Sequence, residues 1–280
     1  MLGAIIGDIV GSAYEFCNTK DYNFQILTRE SDYTDDSVMT TAVADWLMND
    51  PEHTEKKLVE TLVRYGHEYP HPTGSYGGGF ATWLFNPEAL GDYGVGCEAG
   101  ERHPYNSWGN GSAMRVSAVG WFFDTIEETE EVAAISARVT HNHPEGIKGA
   151  QATAAAIYLA RTGAGKSGIR EYISSHFGYD LSRSWDELQE NYGWDSSCQG
   201  TVPEAIICFL ESVDFEDAIR KAVSIGGDSD TLACIIGGIA EAFYGPLSGP
   251  MKEIAYKHLH SKLLKVYWKF TECCKAYGQK

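Results

Sequence analysis

The chain predicts an all-α fold. Apolar residues recur at i, i+3 and i+4 in one segment after another, no stretch carries a convincing apolar-polar alternation of period two, and Pro, Gly and small polar residues punctuate the apolar runs at helical lengths. No internal repeat is present.

Taken in order, Met1 to Phe16 reads as a buried helix whose three glycines allow close helix contact, with Asp8 and Glu15 seven apart near one face. Asp8 has an ordinary reading as a capped or solvent-facing acid; Glu15 is placed to look into an acidic site. From Asp35, the positions Val38, Met39, Ala42, Val43, Trp46 and Leu47 keep helical spacing, and a further helix over Glu55 to Tyr69 ends at Pro70 and Pro72. Thr73 to Phe80 reads as a glycine-rich loop and residues 86–107 as irregular. A helix carrying Val116, Val119, Trp121 and Phe122 follows the small polar loop 106–115, in which Ser112 is a candidate N-cap. Glu130 to Val139 is helical, Pro144 starts the next helix, and Gly163 ends it. One short helix over Trp185 to Asn191 interrupts an ordered loop over 176–201, and helices follow from Thr201 to Leu210 and Phe215 to Ser224. A helix ending at Tyr244 and a basic amphipathic helix from Lys252 to Lys269 complete the chain.

Composition excludes several classes of function. With 280 residues, 43% hydrophobic and 22% charged, the chain buries a sizeable core as one large or two small domains. A formal charge of −17 argues against general affinity for nucleic-acid backbones, which takes clustered Lys and Arg. No apolar run is long enough to span a membrane, and the start of the chain lacks a basic region ahead of Asp8, so a cytoplasmic protein is expected. Seven cysteines without a Cys-x-x-Cys pair, Cys17, Cys97, Cys198, Cys208, Cys234, Cys273 and Cys274, read as reduced thiols.

Two turns carry the chemistry. Tyr33-Thr34-Asp35-Asp36-Ser37 and Gly226-Gly227-Asp228-Ser229-Asp230-Thr231 each place two carboxylates and hydroxyls immediately before an apolar helix. Like charges at that spacing repel unless a cation joins them, and carboxylate with hydroxyl oxygens suits Mg²⁺, Mn²⁺ or Ca²⁺ better than zinc. Four carboxylates and two hydroxyls suffice for two ions. The plainer reading makes Thr34 and Asp228 helix caps with acids favourably placed in the first turn; the pairing of two such turns favours metal. An EF-hand loop starting at Asp228 fails, because its fifth, sixth and twelfth positions hold Leu232, Ala233 and Ile239.

Three further stretches suit an anionic ligand. Gly77, Gly78 and Gly79 let the backbone present N–H groups to an anion, and Asn110-Gly111-Ser112 leads to Arg115 at a helix start. His141, next to His143 and Pro144, reads as a ligand contact more than a metal ligand. Gly165-Lys166-Ser167 is not a P-loop, since Ala160 stands where that motif needs Gly and a helix precedes it.

These residues together resemble the ADP-ribosylglycohydrolase family, of the dinitrogenase reductase-activating and ADP-ribosyl-acceptor hydrolase type. The resemblance rests on Gly7-Asp8-Ile9-Val10-Gly11-Ser12 with Glu15, Thr34 to Ser37, Tyr76 to Gly79, Gly109 to Arg115, Thr140-His141 with His143 to Glu145, and Gly226 to Thr231, and it extends from residue 3 to about 245. It implies one domain over residues 1–280, a compact orthogonal bundle of helices around two Mg²⁺ or Mn²⁺ ions, and hydrolysis of the glycosidic bond between ADP-ribose and a protein side chain. Carried over by position, Thr34, Asp35, Asp36, Asp228, Asp230 and Thr231 hold metal, and Glu15 and Asp36 are the catalytic acids. Tyr76, Gly77, Gly78, Gly79, Asn110, Gly111, Ser112, Met114 and His141 bind the ligand, with Tyr76, Phe80, Tyr105 and Trp108 as candidates to stack on adenine. The expected partner is an ADP-ribosylated protein, arginine-linked in the preferred reading, or a small molecule containing ADP-ribose, acted on by a monomer. Serine-linked, poly- and O-acetyl-ADP-ribose, a non-catalytic binding role and attack on the pyrophosphate stay open.

Overall fold

The computed structural model describes residues 1–94 and 102–277, and its regular structure is helical; the described residues form no strand, only isolated bridges from Thr34 to Thr73 and from Gly109 to Ser197. In chain order the helices are α1 (Leu2–Ser12), α2 (Asp35–Asn49), α3 (Glu55–Glu68), α4 (Gly78–Phe85), α5 (Gly111–Met114), α6 (Ser117–Phe122), α7 (Ile126–Arg138) and α8 (Pro144–Arg161). They continue as α9 (Lys166–Phe177), α10 (Trp185–Asn191), α11 (Cys198–Glu211), α12 (Phe215–Ser224), α13 (Ser229–Tyr244), α14 (Gly249–His258) and α15 (Ser261–Tyr277). A 3-10 segment, Pro87–Gly94, follows α4. Cys97 lies outside the described residues, and the other six cysteines are free thiols.

The centre of the molecule is the antiparallel pair α1 and α13, both buried on nearly every face. Gly3, Gly7 and Gly11 form a stripe at helical spacing, and it meets Gly237, Ala233 and Ser229 in reverse order. A Cβ added to Gly3 would stand 2.3 Å from the Gly237 carbonyl oxygen, one on Gly7 1.8 Å from that of Ala233, and one on Gly11 2.4 Å from that of Ser229. The two backbones therefore touch, and only glycine fits along the α1 side of the seam. This antiparallel register sets the end of α1 beside the beginning of α13.

Elsewhere the local signals act as the pattern predicts. Thr54, Thr125, Ser184 and Ser197 cap α3, α7, α10 and α11 by accepting from a backbone N–H in the first turn, and Ser184 completes a capping box with Glu187. Gly163 adopts φ +94° just past α8, and the Lys166 ammonium donates to the Ser212 carbonyl, so this stretch serves helix packing.

Several boundaries differ from expectation. The first helix stops at Ser12, because Tyr14 and Glu15 turn tightly onto Gly11 and Ser12, and the Asn18 amide donates to the Tyr14 and Glu15 carbonyls. Asp8 and Glu15 thus do not share a helix face. Gly78 begins α4 instead of belonging to a loop, α11 starts three residues before Thr201, and α9 occupies a stretch that sequence left unassigned. Asn110 holds the N-cap position expected for Ser112. The basic helix over Lys252 to Lys269 is two helices, α14 and α15, separated at Leu259 and His260, where buried Leu259 redirects the chain without a Pro or Gly.

Candidate active site

Because α1 and α13 are antiparallel, Glu15, just past the end of α1, arrives at Asp228 and Asp230. One carboxylate oxygen from each of these three residues lies within 4.8 Å of the others. Asn18 fixes the approach: its side-chain oxygen accepts from the Gly227 N–H at 2.8 Å while its amide donates to the Gly227 carbonyl at 2.8 Å. Gly226 and Gly227, at φ +75° and +80°, make the turn that a residue with a side chain would strain.

The other acidic turn is held by Asp8. This wholly buried carboxylate accepts from the Thr34 N–H at 3.0 Å, the Thr34 hydroxyl at 2.7 Å, the Ser37 N–H at 3.0 Å and the Ser37 hydroxyl. Thr34 in turn accepts from the Asp36 N–H at 3.1 Å. Asp8 therefore caps α2 from a neighbouring helix, satisfying N–H groups that would otherwise be buried without partners. That clamp fixes Asp35 and Asp36 at the helix start, and the Thr231 hydroxyl lies 3.5 Å from Asp36 Oδ1.

The electrostatics of the cluster are those of a cation site. Burial first, then repulsion from neighbouring carboxylates, pushes Asp35, Asp36 and Asp230 well above the ordinary carboxylate range. Burial, with Asp228 and then Asp8, raises Glu15 to about 7. Among the described residues no Lys or Arg forms an ion pair with any of them. Asp36 Oδ2 and Asp230 Oδ1 are buried without a hydrogen-bond partner. Orphaned carboxylate oxygens in a cluster of like charge are the donor set that a hard divalent cation satisfies, so the residues fit the metal that sequence implies.

The cluster forms one wall of a cavity of about 390 Å³. Gly77, Gly78 and Gly79 line it at the start of α4, whose first turn has no side-chain cap; beyond Gly77 and Gly78 an added Cβ would meet nothing within 4 Å. Uncapped N–H groups opening onto a cavity suit a phosphate. Gly74, at φ +76°, lets the Glu15 carboxylate approach; a Cβ there would stand 2.8 Å from Glu15 Oε2. Tyr76, Gly111, Met114 and His141 also line the cavity.

Asn110 lines the cavity too, yet its amide points at the metal-site wall, donating to Asp228 Oδ2 at 2.8 Å and Thr201 Oγ1 at 3.1 Å. Thr34 and Ser112 are not among the lining residues: the Thr34 hydroxyl is engaged with Asp8, and that of Ser112 donates to the Gly146 carbonyl. Arg115, expected as a phosphate cation, is 1% exposed and spends its guanidinium on the Ser136 carbonyl and the Thr140 hydroxyl. That hydroxyl lies 2.7 Å from His141 Nδ1. The other ring nitrogen, Nε2, lies beside Gly111. Burial and the Arg115 charge hold the ring neutral, well below the usual histidine range. His143 accepts from the Glu145 N–H and caps α8.

Phe80 lines the cavity but stacks on Trp83, Tyr105 borders both this cavity and an adjoining groove, and Trp108 faces only that groove. Sequence reasoning passed over Gly74, Phe16, Trp194 and Ser196, all of which line the cavity. Of these only Phe16, next to Glu15, carried a local signal.

The fold is all-helical around a carboxylate-walled, glycine-lined cavity, and the profile of the ADP-ribosylglycohydrolase family matches residues 1–253. The chain belongs to that family of enzymes, hydrolases that remove ADP-ribose. It is 27% identical to the human protein ADP-ribosylhydrolase ARH3 over 88% of this chain and 84% of the relative. It is also 27% identical to ADP-ribosylarginine hydrolase Tri1 of Pseudomonas putida, over 94% of this chain and 75% of the relative. A solved ADP-ribosylglycohydrolase-related protein shares the fold with TM-score 0.68 and 23% identity, covering 98% of this chain and 97% of its own. No helix among the described residues is long and apolar enough to cross a membrane.

Proposed function

We propose that this protein hydrolyses the glycosidic bond joining ADP-ribose to an arginine side chain, with a pair of Mg²⁺ or Mn²⁺ ions bound by Asp35, Asp36, Asp228, Asp230 and Thr231, and by Thr34 through the one hydroxyl lone pair that its bonds to Asp8 and Asp36 leave. The observation that carries the reading is the meeting of Glu15, Asp228 and Asp230 within 4.8 Å in the same cavity as Asp35 and Asp36. Similarity to a relative named as an ADP-ribosylarginine hydrolase supports the linkage. When bound, the ions supply charge stabilisation and lower the pKa of water.

The chain's own residues do the rest. The α4 N-terminus and the Gly109 to Gly111 turn receive the pyrophosphate, and His141 contacts it. The leaving side chain then lies toward Glu15, on the rim of the cavity. Glycoside cleavage passes through an oxocarbenium-like state that a carboxylate beside the sugar stabilises. As the carbon–nitrogen bond breaks, a carboxyl proton reaches the departing nitrogen, and water adds its oxygen to the sugar carbon and gives a proton back to the carboxylate. Glu15, half-buried and with its backbone carbonyl held by Asn18, takes the proton-transfer role, and Asp36 assists from the same wall.

The test is release of free ADP-ribose from matched arginine-linked and serine-linked peptides, with Mg²⁺, with Mn²⁺ and with EDTA, in the wild type and in Asp35→Ala and Asp228→Ala. Metal-dependent release from arginine that both substitutions abolish is the expected result. Release confined to the serine linkage removes the arginine assignment, and AMP among the products removes glycoside cleavage.

A further inference from the structure

Two large aromatic rings stand at the mouth of the cavity on the Glu15 side. Phe16 is 75% exposed and Trp194 is 53% exposed, and both line the cavity that holds the carboxylates. Their centroids are 6.0 Å apart with an interplanar angle of 20°, and among the described residues neither ring packs against another aromatic group. Exposed rings with no core to fill, at the edge of a polar cavity, mark a contact with something outside the molecule.

The backbone beneath them is fixed. Asn18 ties the Phe16 segment to Gly227, and Lys20 Nζ donates to the Tyr192 carbonyl at 2.9 Å, joining that segment to the Trp194 loop. The backbone segments that carry both rings are thus tied down before any ligand arrives, which lowers the ordering cost of binding. Trp194 is also a wall of an adjoining groove, where the one cation, Arg183, is paired with Glu204 and the carboxylates of Glu187 and Asp195 remain. Ring faces and carboxylates both attract cations.

From this we infer that Phe16 and Trp194 form the acceptor-side platform of the active site, receiving the planar guanidinium of an ADP-ribosylated arginine. The inference rests on the arginine reading proposed above and names the residues that select it. A guanidinium is flat and weakly hydrated and stacks on an aromatic face, whereas an ammonium is compact and strongly hydrated, and a serine hydroxyl brings no charge at all. Two contact distances of about 3.5 Å exceed the 6.0 Å between centroids, so the guanidinium lies on an outer face of the pair and not between the rings.

The experiment uses the full chain loaded with Mg²⁺ and saturated with ADP-ribose, and ligand-observed NMR with ethylguanidinium and ethylammonium as probes. Ethylguanidinium should bind about tenfold more tightly than ethylammonium, with the preference lost in Trp194→Ala and retained in Trp194→Phe. In parallel, Phe16→Ala and Trp194→Ala should raise KM for an ADP-ribosylarginine peptide by about tenfold relative to the Kd for ADP-ribose in the same variant. Equal binding of the two probes, or a preference that survives Trp194→Ala, overturns the platform even if the wild type cleaves arginine linkages. Probe binding that follows the rings in a protein inactive on arginine linkages upholds a guanidinium-binding platform and removes the arginine-linkage reading instead.

Discussion

Asp8→Ala tests the cap that holds the acidic turn. The substitution leaves the backbone N–H groups of Thr34 and Ser37 buried without an acceptor. At about 1–3 kcal/mol for each orphaned group, the loss is about 2–6 kcal/mol, a large part of a domain's usual stability. A second effect opposes it. Burial raises the Asp8 carboxyl from 3.8 to about 6 against the pull of its four hydrogen bonds. A group raised in the folded state contributes stability that is present below its unfolded pKa and lost as pH rises through its folded pKa. For these two values, about 1.4 kcal/mol of that contribution disappears between about pH 5 and about pH 8. Alanine has no such contribution to lose. Urea denaturation in EDTA, followed by far-UV circular dichroism, should therefore show Asp8→Ala costing several kcal/mol at about pH 5 and about 1.4 kcal/mol less at about pH 8. A variant as stable as the wild type at the lower pH would refute the cap, and a penalty that grows with pH would refute the sign of the burial effect.

Three other outcomes follow from the same geometry. Gly7→Ala drives a Cβ into the Ala233 carbonyl and should cost at least about 3 kcal/mol or prevent folding, whereas Gly77→Ala, with open space around it, should change the melting transition by no more than about 0.5 kcal/mol. In EDTA the wild type should lose stability as pH rises from about 5 to about 8, since Asp35, Asp36, Asp230 and Glu15 are all raised; excess Mg²⁺ or Mn²⁺ should restore it, more at the higher pH, by differential scanning fluorimetry. Asp230→Asn removes one repelling charge and should stabilise the metal-free protein at about pH 8 while abolishing divalent stabilisation; a metal-dependent melting shift that persists would exclude Asp230 as a ligand.

What sequence alone determined lies within a few residues of each signal. Caps and apolar spacing placed Phe215–Ser224 and Trp185–Asn191 without error, and the paired acidic turns marked residues that wall the cavity. Local physics suffices there, because a cap bonds the first turn it precedes and nearby carboxylates raise one another's pKa values unless a cation joins them. The break at Leu259 had no Pro or Gly to mark it, and α9 buries only Ile169 and Ile173, too sparse a pattern to read. Asp8 could be a surface acid or a buried cap on sequence grounds. Only packing shows that it closes the start of α2, just as only packing shows that Arg115, though it lines the cavity, donates to Ser136 and Thr140. The glycine stripe on α1 permitted close contact with some helix but could not name α13. Tertiary structure chose that partner and its antiparallel register, and this choice delivers Glu15 to Asp228, more than two hundred residues away, because backbones in contact leave no freedom for the chain ends they carry.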